Sequence, residues 1–217
     1  MNKKSYSLIE LLFALTLITI ISASFYSNIS LDKFQSNIDH ATNRLILYLK
    51  QTRYQALIDS NVDENQEKWH KKRWTLKFFD CREKVGGLYY VIYSDKNMQG
   101  HPNKQESLKD PLSSKYIYSS NKCLVNNDTS KYVLLTKEFG IEKIDVSCKM
   151  DSSLGKISFG EDGFVYKKLS NNKNEHYKYK INKPCIIKLY DKNNSMREIV
   201  IEHSTGYIYK NPIKYRE

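Results

Sequence analysis

The sequence predicts an α+β fold: a long N-terminal helix, transmembrane in its first half, packed on antiparallel β-sheet. Three observations carry this. From Leu11 to Leu31 no Asp, Glu, Lys, Arg or His occurs, a span of roughly 31 Å as helix, about one hydrocarbon core. Phe34, Ile38, Ala41, Leu45, Tyr48, Leu49, Thr52 and Ala56 then recur at three- and four-residue steps, an apolar stripe at helical period. Beyond Trp74 the period changes to two.

The helix is expected to run unbroken from Tyr6 to Ile58, since no Pro or Gly interrupts that span. At ~1.5 Å per residue it reaches roughly 80 Å. Asp32, Lys33, Asp39, Arg44, Lys50 and Arg53 mark its wet face, and the polar run 60–65 ends it. Strands are expected at Trp74–Asp80, Leu88–Ser94, Tyr132–Lys137, Ile141–Ser147, Gly155–Phe159, Phe164–Lys168, Cys185–Tyr190, Glu198–Glu202 and Tyr207–Lys210. Turns are marked by Gly86-Gly87, by 161–163, by 191–194 and by 204–206. Residues 96–115 and 170–183 read as long loops.

Composition bounds the rest. In 217 residues there is material for one domain beyond the first helix. The formal net charge of +11 falls to +9 without Lys3 and Lys4, which favours polyanionic partners such as nucleic acid but says nothing about fold. The four cysteines, Cys81, Cys123, Cys148 and Cys185, contain no Cys-x-x-Cys pair and so favour disulfides over a metal or redox motif. Three connectivities are open. The sequence does not choose among them, and sequential pairing is preferred.

Glu10 is the most informative single residue, because a carboxylate on the first turn of an apolar helix needs a partner. Lys3-Lys4-Ser5, followed by Tyr6-Ser7-Leu8-Ile9-Glu10 and the apolar run, resembles the prepilin signal of type IV pilins and type II secretion pseudopilins. There a short basic leader ends in a small residue, usually Gly, and Glu is the fifth residue after the cut. Ser5 stands for that Gly, and Tyr6 for the usual methylated Phe of Phe-Thr-Leu-Ile-Glu. The competing reading is an ordinary secretory signal cut after Ser22-Ala23-Ser24; Glu10 argues against it. Further along, residues 43–62 with Thr52-Arg53-Tyr54-Gln55-Ala56 resemble the exposed half-helix of H-type (FimT-like) minor pseudopilins. Residues 156–163, 186–189 and 197–208 resemble that family's closing strands.

The resemblance implies a pilin-like fold with a leader at 1–5, a transmembrane half-helix at 6–31 and a periplasmic domain at 32–217. It implies a minor pilin-like subunit of a type II secretion or type IV pilus-like machine, initiating or capping a short filament anchored in the bacterial inner membrane. The N-terminus would be cytoplasmic, in keeping with Lys3 and Lys4. Processing falls between Ser5 and Tyr6, and Glu10 serves assembly by pairing with the new α-ammonium. The implied partners are other pilins or pseudopilins, a prepilin peptidase, the inner-membrane assembly platform and membrane lipid. A DNA-binding minor pilin of an uptake system and a membrane-anchored periplasmic binding domain are the alternatives.

Chemistry is otherwise sparse. No phosphate loop, nucleophile elbow or His-Glu-x-x-His helix occurs, and the five histidines lack metal-ligand spacing. The run from Asp191 to Glu202 mimics a calcium loop only in part, with Met196 where Gly is required. No enzyme, cofactor or metal is expected. Two basic-aromatic clusters remain, 68–74 and 207–216, the pattern of a surface that tracks phosphates. In the second, Lys210, Lys214 and Arg216 are the DNA-binding candidates.

Overall fold

The structure, a computed structural model, describes residues 8–28, 37–59, 62–63, 65–150 and 153–212. The chain divides into a first unit, Met1–Ser36, and a second, Asn37–Glu217. In the first, helix α1 spans Leu8–Asn28 and shows apolar side chains on every side. Leu8, Ile9, Leu11, Leu12, Phe13, Leu15, Leu17, Ile18, Ile20 and Ile21 are all exposed.

Two expectations are corrected here. The helix expected from Tyr6 to Ile58 is described as two, α1 and α2 (Asn37–Ile58); continuity between them, and Phe34 of the stripe, fall on 29–36, outside the described residues. Among the described residues no helix is long and apolar enough to cross a membrane. This overturns the transmembrane half-helix and the single-pass inner-membrane placement, with cytoplasmic N-terminus and periplasmic domain.

The second unit is α+β, with two four-stranded antiparallel sheets. One has the order β2-β1-β4-β5, with β1 Thr75–Asp80, β2 Leu88–Tyr93, β4 Lys156–Phe159 and β5 Val165–Tyr166. The other is β3-β6-β7-β8, with β3 Ile141–Val146, β6 Cys185–Asp191, β7 Met196–Ile201 and β8 Ile208–Lys210. Helix α2 buries Ile38, Ala41, Leu45, Tyr48, Leu49, Thr52 and Ala56 against strands of both sheets. Each large apolar side chain so buried contributes roughly 1.5–3 kcal/mol. Its buried threonines satisfy their hydroxyls within the helix, Thr42 donating to the Ile38 carbonyl and Thr52 to that of Tyr48. Asp39, in the first turn where the helix dipole favours an anion, accepts both forks of Arg197 at 2.8 Å and also Lys210, tying the helix to β7 and β8.

Tyr132–Lys137 is not a strand. Lys131–Val133 is a 3₁₀ turn and Leu135–Phe139 a short helix, α3, closed by Gly140 in the left-handed conformation. Leu135 and Phe139, four apart, are both buried, so the apolar run Val133-Leu134-Leu135 belongs to a helical face. The disulfides Cys81–Cys123 and Cys148–Cys185 join the four cysteines in chain order. The first holds the strandless stretch after β2 to the end of β1; the second links the ends of β3 and β6.

Arg73, ahead of β1, is almost wholly buried. Its guanidinium forks onto Glu161, just after β4, at 3.0 and 3.1 Å and donates to the His176 carbonyl at 2.5 Å. The rings of Tyr166, Trp69 and Tyr177 lie 4.0, 5.0 and 5.5 Å from it. Glu161→Ala would leave that cation buried without its carboxylate. It should cost about 3 kcal/mol of stability, read in urea unfolding by the fluorescence of Trp69 and Trp74; Arg73→Met with Glu161→Leu should recover most of the loss.

Candidate functional site

Strand β1 pairs with β4 in the register Thr75↔Ser158, Leu76↔Ile157, Lys77↔Lys156. Alternation sends Leu76 and Ile157 into the core and the other two pairs to the opposite face. At one end the pair is comfortable, since the Thr75 and Ser158 hydroxyls lie 2.7 Å apart and share a hydrogen bond. At the other it is not. Two lysines stand directly opposite one another, an arrangement that destabilises a sheet.

Gly155 fixes that opposition. Its carbonyl accepts the Phe78 N–H at 3.0 Å. Its φ of +147° and the 2.7 Å approach of Val146 Cγ2 to any added Cβ leave room for no other residue. The next residue is therefore delivered onto Lys77.

Around this pair lies a cleft of about 350 Å³ whose walls also carry Lys71, Lys167, Lys168, Tyr93 and Asp95. Lys71 donates to the Met98 carbonyl at 3.2 Å. None of the five lysines makes an ion pair among the described residues. Burial pushes the Lys156 ammonium down to about 8, and the charge of Lys77 adds to that effect while Asp95 opposes it. Burial lowers Lys77 as well. Asp95 is 95% buried; its Oδ2 accepts the Gly100 N–H at 2.9 Å, and its Oδ1 has no hydrogen-bond partner among the described residues. A neighbouring cleft of about 420 Å³ shares Lys167 and adds Lys149, Lys180 and Lys183, but there Lys149 and Lys180 are paired with Asp145 and Asp162.

The residues singled out in the sequence fall elsewhere. Ser5 and Tyr6 lie outside the described residues, as do Lys214 and Arg216. Glu10 is on the first turn of α1. Lys210 is bound to Asp39 and does not form a free cationic surface. The cluster 68–74 is mostly interior. Trp69 stacks on His176 at 4.8 Å, Trp74 donates to Asp59 at 3.1 Å, and Arg73 is held by Glu161. His70 Nε2 lies 3.0 Å from the Ser170 carbonyl, which can only accept, so that nitrogen carries the proton; Nδ1 faces His176 at 3.0 Å. Of this cluster only Lys71 reaches the lysine cleft. Among the described residues no group of His, Cys, Asp or Glu could hold a metal ion.

What the sequence analysis missed is the cleft itself. Its signal was present as Lys77 and Lys156 within two expected strands and the doublet Lys167-Lys168, but only the pairing of β1 with β4 brings them together.

The lowered Lys156 has a consequence for stability. Its folded value lies below the ordinary 10.5, so the cost of its buried charge is complete below pH 8. That cost fades as pH rises toward 10.5, where the unfolded chain also loses the proton. Lys156→Met should therefore stabilise the protein by about 1–2 kcal/mol at pH 7. The gain should shrink between pH 8 and 10, as measured by urea unfolding at each pH.

No family model, curated protein or solved structure matches the chain.

Proposed function

We propose that the chain is a non-enzymatic, minor pilin-like (pseudopilin) subunit of a type II secretion or type IV pilus-like machine, initiating or capping a short filament. The observation that carries this is α1. Its large apolar side chains from Leu8 to Ile21 are exposed, and a helix of that kind has to be covered. The proposed cover is the α1 helices of neighbouring subunits, which would pack as the filament core. The sequence Lys3-Lys4-Ser5, Tyr6 and Glu10 supports the same reading, because it supplies a processing site at the position that leaves Glu10 fifth in the mature chain.

The role of Glu10 follows from charge balance. Cutting before Tyr6 creates an α-ammonium among apolar helices, where an isolated charge is costly and a matched pair is tolerable. Glu10 supplies the opposite charge, to its own N-terminus or to a neighbour's. The second unit, with its two sheets locked by disulfides, is then the part displayed on the filament.

Two measurements bear on this. Mass spectrometry of the mature protein should find Tyr6 as the first residue; an intact Met1, or a start after Ala23 or Ser24, removes the pilin reading. Glu10→Ala should be processed normally yet enter filaments at a level reduced by about tenfold or more, the loss of roughly one buried charge pair. Wild-type incorporation would deny Glu10 its electrostatic role.

A further inference from the structure

We infer that the lysine cleft on the outer face of the β2-β1-β4-β5 sheet binds a small ligand that carries phosphate groups on a hydroxylated sugar, a nucleotide or a sugar bisphosphate. This assignment stands whether or not the filament reading holds, since it rests on residues of the second unit alone.

The cation pair comes first. Lys77 and Lys156 face each other in register, and among the described residues neither is ion-paired with a carboxylate. An anion with several oxygens placed between the two ammonium groups relieves that repulsion through charge-assisted hydrogen bonds. A phosphate fits this need, offering acceptors to both lysines at once. Lys71, Lys167 and Lys168 stand along the walls of the same cleft, enough positive charge for a second phosphate group.

Size and Asp95 then narrow the class. A volume of about 350 Å³ lies within the range of small-molecule sites and corresponds to roughly ten waters at ~30 Å³ each. A single phosphate would leave most of it unfilled. Asp95 borders the same space, and its buried Oδ1 has no hydrogen-bond partner among the described residues. Such an atom is costly unless a donor reaches it. Phosphates at neutral pH offer acceptors, so the donor has to come from another part of the ligand, and a sugar hydroxyl provides one.

The cleft therefore separates two demands in space: lysines for phosphate, a carboxylate for a hydroxyl. That division sets it apart from a surface that merely attracts polyanions, which has no use for a buried carboxylate along its lining.

Isothermal titration calorimetry on the full chain at low salt tests this, with ADP, glucose 1,6-bisphosphate, tripolyphosphate, adenosine and a 12-residue oligothymidylate as probes. ADP or glucose 1,6-bisphosphate should bind, which of them is tighter naming the source of the phosphate; adenosine should not. Lys77→Met and Lys156→Met should each weaken the bound probe by about tenfold or more, as expected for a lost charge-assisted contact. Both variants relieve the like-charge pair, so they should unfold at higher urea than the wild type, which separates lost binding from lost folding. Lys167→Ala, on the rim, serves as a third check with an expected loss of several-fold. Asp95→Asn should weaken ADP and glucose 1,6-bisphosphate but leave tripolyphosphate unchanged or tighter. The assignment is overturned if neither sugar phosphate binds, if tripolyphosphate alone binds, or if binding survives both lysine substitutions. It is equally overturned if oligothymidylate binds far more tightly than either sugar phosphate through the same lysines, which would make the cleft a nucleic-acid surface.

Discussion

The arrangement of the second unit depends on the guanidinium of Arg73. It closes one end of the β1–β4 pair by holding Glu161 where the chain leaves β4. It also gathers three rings, from the 3₁₀ turn before β1, from β5 and from the loop after it. A charge this deeply buried is tolerable only with its hydrogen bonds complete, so Glu161 and the His176 carbonyl are fixed in position. The other end of the same strand pair carries Lys77 against Lys156. Attraction at one end and repulsion at the other act on strands only a few residues long. The clamp is what allows the sheet to hold two like charges in register, and hence what makes a basic cleft compatible with a stable fold.

The same economy appears on α2. Its buried stripe is what attaches the helix to the sheets, but Asp39 decides how it is seated, by meeting Arg197 from β7 and Lys210 from β8. Tyr48 adds a second anchor, donating to Asp110 at 2.6 Å from a helix face that is otherwise apolar. Burial and that carboxylate together raise the phenol well above its usual range, so it remains a donor under any ordinary condition. A long stretch without strands is thereby held against the helix by a polar contact, and near its far end Cys123 ties it to the end of β1.

Local pattern made much of this legible. The α2 stripe from Ile38 to Ala56 and eight of the nine expected strands are visible as period and turn chemistry alone, because those signals are contained within a few residues. Two corrections have different causes. The run around Val133 satisfies both a strand and a helix over four residues, and the choice was made by Leu135 and Phe139 meeting neighbours from distant sequence. The unbroken long helix was inferred from the lack of Pro and Gly, which permits continuity without requiring it. The lysine cleft was illegible for a different reason. Lys77 and Lys156 are each unremarkable on a half-exposed strand face, and their meeting depends on a pairing across some eighty residues. Conversely, the conspicuous run 68–74 was misleading, since its tryptophans and its arginine face inward and its histidine is spent on an internal hydrogen bond.

The disulfides have a bearing on how such a chain is made. Their loops follow one another and neither encloses nor crosses the other. Each thiol, on emerging into an oxidising environment, therefore meets its proper partner as the nearest one available: Cys123 finds only Cys81, and by the time Cys185 appears only Cys148 is left. Vectorial delivery by itself writes the native connectivity, and a chain of this kind can mature without an isomerase to reshuffle mistaken pairs.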